Sequence, residues 1–128
     1  MKTYLLKLSA IGSILAREEF RKEDSLGQLQ RAVNGYIERA PTLMPREFAD
    51  VDCFVDEEGL LKGVAIVNQV VTAMCNHPQI KIVGDAVFAT HDDEGATWGL
   101  SEEQCNALEN HLISLGAIKA EDFGKIKE

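Results

Sequence analysis

Three histidines are the side chains of this chain best suited to acid–base or metal chemistry near neutral pH. They are His77, His91 and His111, and no two of them form an H-x-x-x-H or H-E-x-x-H pattern, so the sequence predicts no metal site. His91, which precedes Asp92 and Asp93, is the one histidine whose neighbours suggest a site. An exposed histidine in a turn is the commoner case, so an enzyme built on His91, Asp92 and a cysteine is the least favoured alternative.

The three cysteines, Cys53, Cys75 and Cys105, do not suggest chemistry either. Their number is odd, they lie far apart and no C-x-x-C pair occurs, which argues against a disulfide framework and for a reducing compartment. No cationic neighbourhood lowers a thiol pKa, and no glycine-rich phosphate loop is present. We therefore expect a cytoplasmic, non-enzymatic protein without a cofactor.

The strongest compositional signal is acidity, because 21 Asp and Glu residues face 13 Lys and Arg residues and give a net charge of -8. The charge is unevenly distributed: residues 1–49 carry eight basic and six acidic side chains, whereas residues 50–128 carry five and fifteen. This field disfavours direct binding to nucleic acid or to an anionic membrane. No apolar stretch approaches the length of a membrane span. A partner with a basic surface is favoured.

Two acidic segments supply the candidate partner-binding residues. The first is Asp56, Glu57 and Glu58, and the second is Asp92, Asp93 and Glu94. Neither segment follows the spacing of a calcium-binding loop. The simpler interpretation is a solvated face that keeps the protein soluble. The alternative is an acidic surface that occupies a basic, nucleic-acid-binding groove of another protein.

Three aromatic residues, Tyr36, Phe88 and Trp98, support a second functional hypothesis. Together they could line a pocket between sheet and helices for a small molecule or a nucleotide signal. A homo-oligomer with pockets at its subunit boundaries would favour this hypothesis, so self-association stays open. A lone tryptophan, however, is more often part of a core.

Alternating apolar residues predict the strands. They cover residues 4–8, 36–39, 51–56 and 80–89, with the first extending through Gly12 to Ile14 and the last broken or bulged at Gly84. Residues 57–59 are predicted to form a turn, and residues 60–62 the returning arm of a hairpin. A second polar turn is expected at residues 91–95.

Two capping boxes predict where helices begin. Ser25-x-x-Gln28 starts a helix that ends at Asn34-Gly35, and Ser101-x-x-Gln104 starts a helix over residues 101–115 that ends before Gly116. A further helix is favoured near Asn68. Strands and helices mix without regular βαβ spacing, which predicts an α+β fold. We expect a single domain over residues 1–128: a mostly antiparallel sheet with two or three helices packed on one face.

Three segments together resemble a known family. They are Leu26 and Gln30 through Val33-Asn34-Gly35-Tyr36-Ile37-Glu38, then Val55-Asp56-Glu57-Glu58-Gly59-Leu60-Leu61-Lys62-Gly63, then Val83-Gly84-Asp85-Ala86-Val87-Phe88. In order and spacing they are similar to the uncharacterised-domain family labelled 3846, small proteins of phages, plasmids and other mobile elements of bacteria. The resemblance covers about residues 25–88.

The chain departs from the family pattern at several positions. Asn34 replaces the first glycine of a pair, Asp56 replaces an asparagine, Leu60 replaces a lysine, and Val64-Ala65 replaces Leu-Pro. The resemblance implies a mobile-element origin and a bacterial host cell, and it assigns neither a reaction nor catalytic residues. We expect a small acidic accessory protein that binds and inhibits a host protein, with a nucleic-acid-binding defence protein as the favoured example.

Overall fold

The computed structural model describes residues 1–61 and 66–125. Eleven helices and strands follow one another in the order β1 Tyr4–Leu8, β2 Ser13–Ile14, β3 Glu18–Glu19, α1 Ser25–Val33, β4 Ile37–Arg39, β5 Val51–Asp56, α2 Gln69–Cys75, β6 Ala86–His91, β7 Thr97–Trp98, α3 Glu102–Ser114 and β8 Ile118–Lys119. Short 3-10 helices connect several of them. None of the helices among the described residues is both long and apolar enough to cross a membrane.

The strands form one sheet in the order β4-β5-β6-β1-β2-β8, with β3 beside β1 and β7 beside β6. Its pairs are antiparallel except for β2 with β8. At the centre, β6 pairs with β5 on one side and with β1 on the other, so that Phe88 lies opposite both Cys53 and Leu6. The fold is therefore α+β with a mostly antiparallel sheet, as the sequence predicts.

The sheet is covered on both faces, since alternating residues of its central strands enter two different cores. Leu6 and Phe88 belong to a core that also contains buried residues of α2 and α3. Leu5 and Val87 belong to a second core with Leu29 of α1. Two helices, α2 and α3, thus share one face as expected, and α1 packs on the other face.

The first predicted capping box does not exist in the structure. Asp24, not Ser25, is the N-cap of α1, and no side chain caps that end. Gln28 is fully buried instead: its amide oxygen accepts the N–H of Arg21 at 2.8 Å, and its amide nitrogen donates to the Glu19 carbonyl at 2.9 Å. Gln28 therefore anchors β3 to α1 and does not complete the predicted capping box. Asn34 ends the helix with φ 60°, as predicted.

The second capping box is confirmed. The Ser101 hydroxyl accepts the N–H of Gln104, and the Gln104 side chain accepts the N–H of Ser101, both at 3.0 Å. The turn after α3 contains Gly116 with φ 109°, a conformation that favours glycine. The predicted α2 is present as well, and Asn68 is its cap, accepting the N–H of Val71 at 3.1 Å.

Two predicted strand features need correction. The first strand does not run on through Gly12, because the chain turns there and β2 pairs back against β1. Residues 59–61 form a 3-10 helix, so Leu60 and Leu61 are not the returning arm of a hairpin, and Lys62 lies outside the described residues. Gly84, with φ 86°, precedes a strand that begins only at Ala86.

Candidate partner-binding surface

The structure separates the two predicted acidic segments. Asp56 ends β5 and residues 57–58 follow it, whereas residues 92–94 follow β6. These strands are antiparallel, with Val51 opposite Thr90 and Val55 opposite Ala86, so their carboxyl ends lie at opposite ends of the sheet. A six-residue strand is about 17 Å long, so the six residues cannot act as one compact patch.

Asp56 is a structural residue of the first segment. It is 8% exposed, and its Oδ1 accepts the N–H of Glu58 at 3.0 Å, which shapes the turn after β5. A Cβ atom at Gly35 would lie 2.5 Å from the same Oδ1. Only glycine therefore allows the end of α1 to pass this close to the carboxylate.

Glu57 and Glu58 are exposed beside an exposed aromatic ring. The N–H of Glu57 donates to the Tyr36 carbonyl at 2.8 Å, and Tyr36 is 67% exposed. Neither carboxylate forms an ion pair with a basic side chain among the described residues. These two glutamates are thus available to a partner, whereas Asp56 is not.

Three further segments reach the same end of the sheet. A Cβ at Gly59 would lie 2.7 Å from Val83, which places Leu60 beside the segment that precedes β6. The N–H of Gly84 donates to the Ile66 carbonyl at 2.9 Å, and the Asp85 carboxylate accepts the N–H of Ala10 at 2.8 Å.

We call this region the sheet-end surface. Its exposed side chains come from five separate segments of the chain and are Ile11, Tyr36, Glu57, Glu58, Leu60, Ile66 and Asp85. The apolar members, Ile11, Tyr36, Leu60 and Ile66, are all more than half exposed. The surface therefore combines exposed apolar groups with carboxylates, which is typical of an interface core beside a charged rim.

The second acidic segment is held by one structural aspartate. Oδ1 of Asp92 accepts the N–H groups of Glu94 and Ala96, both at 2.9 Å, and its Oδ2 accepts the indole N–H of Trp98 at 2.9 Å. These hydrogen bonds lower the pKa of Asp92 below its ordinary value, and the bond from the indole of Trp98 makes the largest contribution. Asp93 and Glu94 are exposed at the tip of the turn, which confirms the predicted polar turn.

A histidine–aspartate pair lies at the base of this turn. His91 Nδ1 is 2.9 Å from Oδ2 of Asp52, and Arg39 donates to the other carboxylate oxygen at 3.4 Å. The three residues are on adjacent strands and on the same face of the sheet. Because Nδ1 is bonded to the carboxylate, Nε2 is the nitrogen left for any ligand. The pairing of His91 with Asp52 leaves no signal in the local sequence, because it depends on the register of β5 with β6.

The three aromatic residues of the alternative hypothesis are not brought together. Phe88 is fully buried in the core beneath α2 and α3. Tyr36 belongs to the sheet-end surface, whereas Trp98 is 42% exposed in β7, with Phe20 at 6.3 Å and the Lys22 ammonium 4.3 Å from its ring centre. The cleft beside Tyr36 is lined by Gly27, Gln30, Arg31, Asn34 and Gly35, so the structure does not place Tyr36 with Phe88 or Trp98 there.

The cysteines offer no accessible nucleophile. All three are buried, and burial raises the pKa of each thiol. No group of three or more metal-ligating side chains occurs within residues 1–61 and 66–125.

Comparison with known proteins assigns a family and nothing more specific. A family model described as "Domain of unknown function (DUF3846)" matches residues 13–113, about four fifths of the chain. The chain belongs to this family. No curated protein and no solved structure matches it. Within the DUF3846 domain, the three segments that carry the resemblance meet at the sheet-end surface: Gly35 lies under Asp56, and Gly59 packs on Val83.

Proposed function

We propose that the protein is a non-enzymatic binding protein that engages the basic surface of another protein through its sheet-end surface. The observation that supports this most is the convergence of five chain segments at one end of the sheet, where they present exposed apolar and acidic side chains. Exposed apolar groups supply binding energy on burial, and unpaired carboxylates steer a basic partner and select for it. Tyr36, large and exposed, is the expected centre of the contact.

The biological setting is part of the same proposal. We propose that the partner is a host protein of a bacterial cell and that the chain is an accessory protein of a phage or another mobile element. The sheet-end surface would occupy a groove that otherwise binds nucleic acid, which would inhibit the host protein. The segregation of fifteen acidic residues into positions 50–128 supports a basic target. Family membership is compatible with this setting and does not specify it.

The test uses two double charge reversals, which change the net charge by the same amount and lie at opposite ends of the sheet. Glu57→Lys with Glu58→Lys alters the sheet-end surface, and Asp93→Lys with Glu94→Lys alters an exposed turn at the other end of the sheet. Tagged wild-type protein captures its partner from bacterial lysate, and the Kd is then measured with both proteins purified. We expect the first variant to weaken binding about tenfold or more, because it opposes a basic partner at the interface. The second is expected to bind as wild type does.

Tyr36→Ala separates the apolar contribution from the charge. We expect it to weaken binding by about tenfold with an unchanged salt dependence, since it removes contact area without changing any charge. Inhibition is measured by the partner's displacement from a fluorescent oligonucleotide. Loss of binding in the Asp93/Glu94 variant alone would place the contact at the other end of the sheet. Wild-type affinity in all three variants would exclude both sites.

A further inference from the structure

A cleft of about 530 Å³ lies at the opposite edge of the sheet from β4, between α3, the segment that follows β2 and the segment that follows β8. Its volume falls within the range of about 300–1,000 Å³ that is usual for small-molecule sites. One wall is apolar and consists of Ile14, Leu15, Ala16 and Ala120. The cleft contains no residue of the sheet-end surface, so its role is independent of the proposed function.

The other wall is organised by a buried carboxylate. Glu109 of α3 is 7% exposed, and its Oε2 accepts a hydrogen bond from Nε of Arg17 at 3.0 Å. Its other oxygen lies 3.7 Å from the ammonium nitrogen of Lys119. A buried carboxylate needs cations or hydrogen-bond donors to compensate its charge, and Glu109 in turn holds these partners in place. The hydrogen bond that Arg17 donates to Glu109 also raises the pKa of Arg17. Glu109 thus positions two cations at the cleft.

Arg17 and Lys119 both have N–H donors left for a ligand. Nη2 of Arg17 donates to Asn106 at 2.7 Å, but its Nη1 has no partner among the residues that the structure describes. The Lys119 ammonium is too far from Glu109 for a hydrogen bond, and its side chain is 42% exposed. Arg17 and Lys119 are matched in number by the carboxylates of Glu109 and Glu121, so the lining of the cleft is neutral overall. Glu121, which also lines it, is exposed to solvent.

We propose that this cleft binds a small molecule that joins an oxyanion, a carboxylate or a phosphate, to a short apolar chain. The oxyanion would lie between Nη1 of Arg17 and Nζ of Lys119, and the chain would lie against Ile14 and Leu15. Guanidinium and ammonium groups suit both kinds of oxyanion, because charge-assisted hydrogen bonds are the strongest that side chains form. This places an anion site in a protein whose net charge is -8.

The experiment titrates the full-length, isotope-labelled protein with sodium octanoate and with octyl phosphate and follows the backbone amides by NMR. We expect saturable shifts confined to residues 14–17, 106–109 and 118–121. Lys119→Met keeps the aliphatic stem and removes the charge, so we expect it to weaken binding about tenfold. Lys81→Met changes an exposed lysine outside the cleft and should leave the affinity unchanged.

Two further probes test the apolar chain and the charged group of the ligand separately. Octanol retains the apolar chain without the charge, and inorganic phosphate retains the charge without the chain. We expect each to bind much more weakly than octanoate. Equal affinity for octanol, or wild-type affinity in Lys119→Met, would overturn the anion site. Equal affinity for inorganic phosphate would overturn the apolar part of the proposal. Thermal melts test whether the Lys119→Met and Lys81→Met variants keep the fold of the wild-type protein.

Discussion

At the scale of single residues, the contact between Gly35 and Asp56 joins two of the segments that carry the family resemblance. The turn after α1 approaches the carboxylate so closely that no side chain fits at position 35. Asn34, where the family pattern has a glycine, takes φ 60°, which asparagine tolerates better than most residues. The replacement is therefore compatible with the same turn.

Gly35→Ala tests this contact. An added Cβ would meet both oxygens and the Cγ of Asp56 at 2.5–2.9 Å, so β5 or α1 must shift. We expect the free energy of unfolding to fall by about 1–3 kcal/mol, measured by urea denaturation. The same substitution in an Asp56→Ala background should cost less, because the clash is then absent. An equal cost in both backgrounds would show that Asp56 is not the obstacle.

Asp56 and Asp92 also show why acidic residues cannot be counted as equal members of a surface. Each carboxylate accepts hydrogen bonds from the backbone of its own turn, and Asp92 also holds the indole of Trp98. Glu57, Glu58, Asp93 and Glu94 are the exposed members of the two segments. A change at either aspartate would alter a turn, so only the four exposed residues can report on binding.

At the scale of secondary structure elements, two identical sequence patterns have different outcomes. Ser101 and Gln104 form a complete capping box, whereas Ser25 does not cap and Gln28 turns inward to β3. The chain that precedes Ser25 is itself a 3-10 helix, so the first free N–H groups of this helical stretch lie upstream. The pattern is local, but the backbone that it caps depends on where the previous element ends.

Ser101→Ala and Ser25→Ala form a matched pair for this difference. We expect Ser101→Ala to lower the free energy of unfolding by about 1 kcal/mol, because the N–H of Gln104 loses its acceptor. Ser25→Ala should change it by less than about 0.5 kcal/mol, since no capping bond is lost. Chemical denaturation followed by circular dichroism measures both. A comparable loss in the two variants would contradict the structure at α1.

At the scale of the whole molecule, β1 and β6 link the two cores. Neighbouring residues of these strands, such as Leu5 and Leu6 or Val87 and Phe88, enter opposite cores. Loss of order on one face therefore removes support from the other. This arrangement predicts that the chain unfolds as one unit.

Leu29→Ala and Leu108→Ala probe the two faces with the same substitution. Both side chains are buried, and each truncation should lower the free energy of unfolding by about 2–5 kcal/mol. Circular dichroism reports on the helices, and fluorescence reports on Trp98, the single tryptophan. We expect the two signals to give coincident transitions in both variants. Separate transitions would mean that the faces unfold independently.

Local patterns in the chain were sufficient for most of the elements. The alternation in β1 and β5, the capping box of α3, the cap of α2 and the positive φ of Asn34 all involve residues that are neighbours in sequence. Their energetics depend on a few adjacent residues, so they can be read without knowing what lies across the fold. The acidic bias and the α+β class follow from the same kind of evidence.

The relative positions of the candidate site residues depend on how segments that are distant in the sequence pack together. Strand direction put the two acidic segments at opposite ends of the sheet, and strand register put His91 beside Asp52. Phe88 is buried because β6 is a central strand between β5 and β1 and both of its faces are covered. Arg17, Glu109 and Lys119 meet although they are far apart in the chain. Such contacts depend on which strands pair, and pairing is decided by the burial of whole faces.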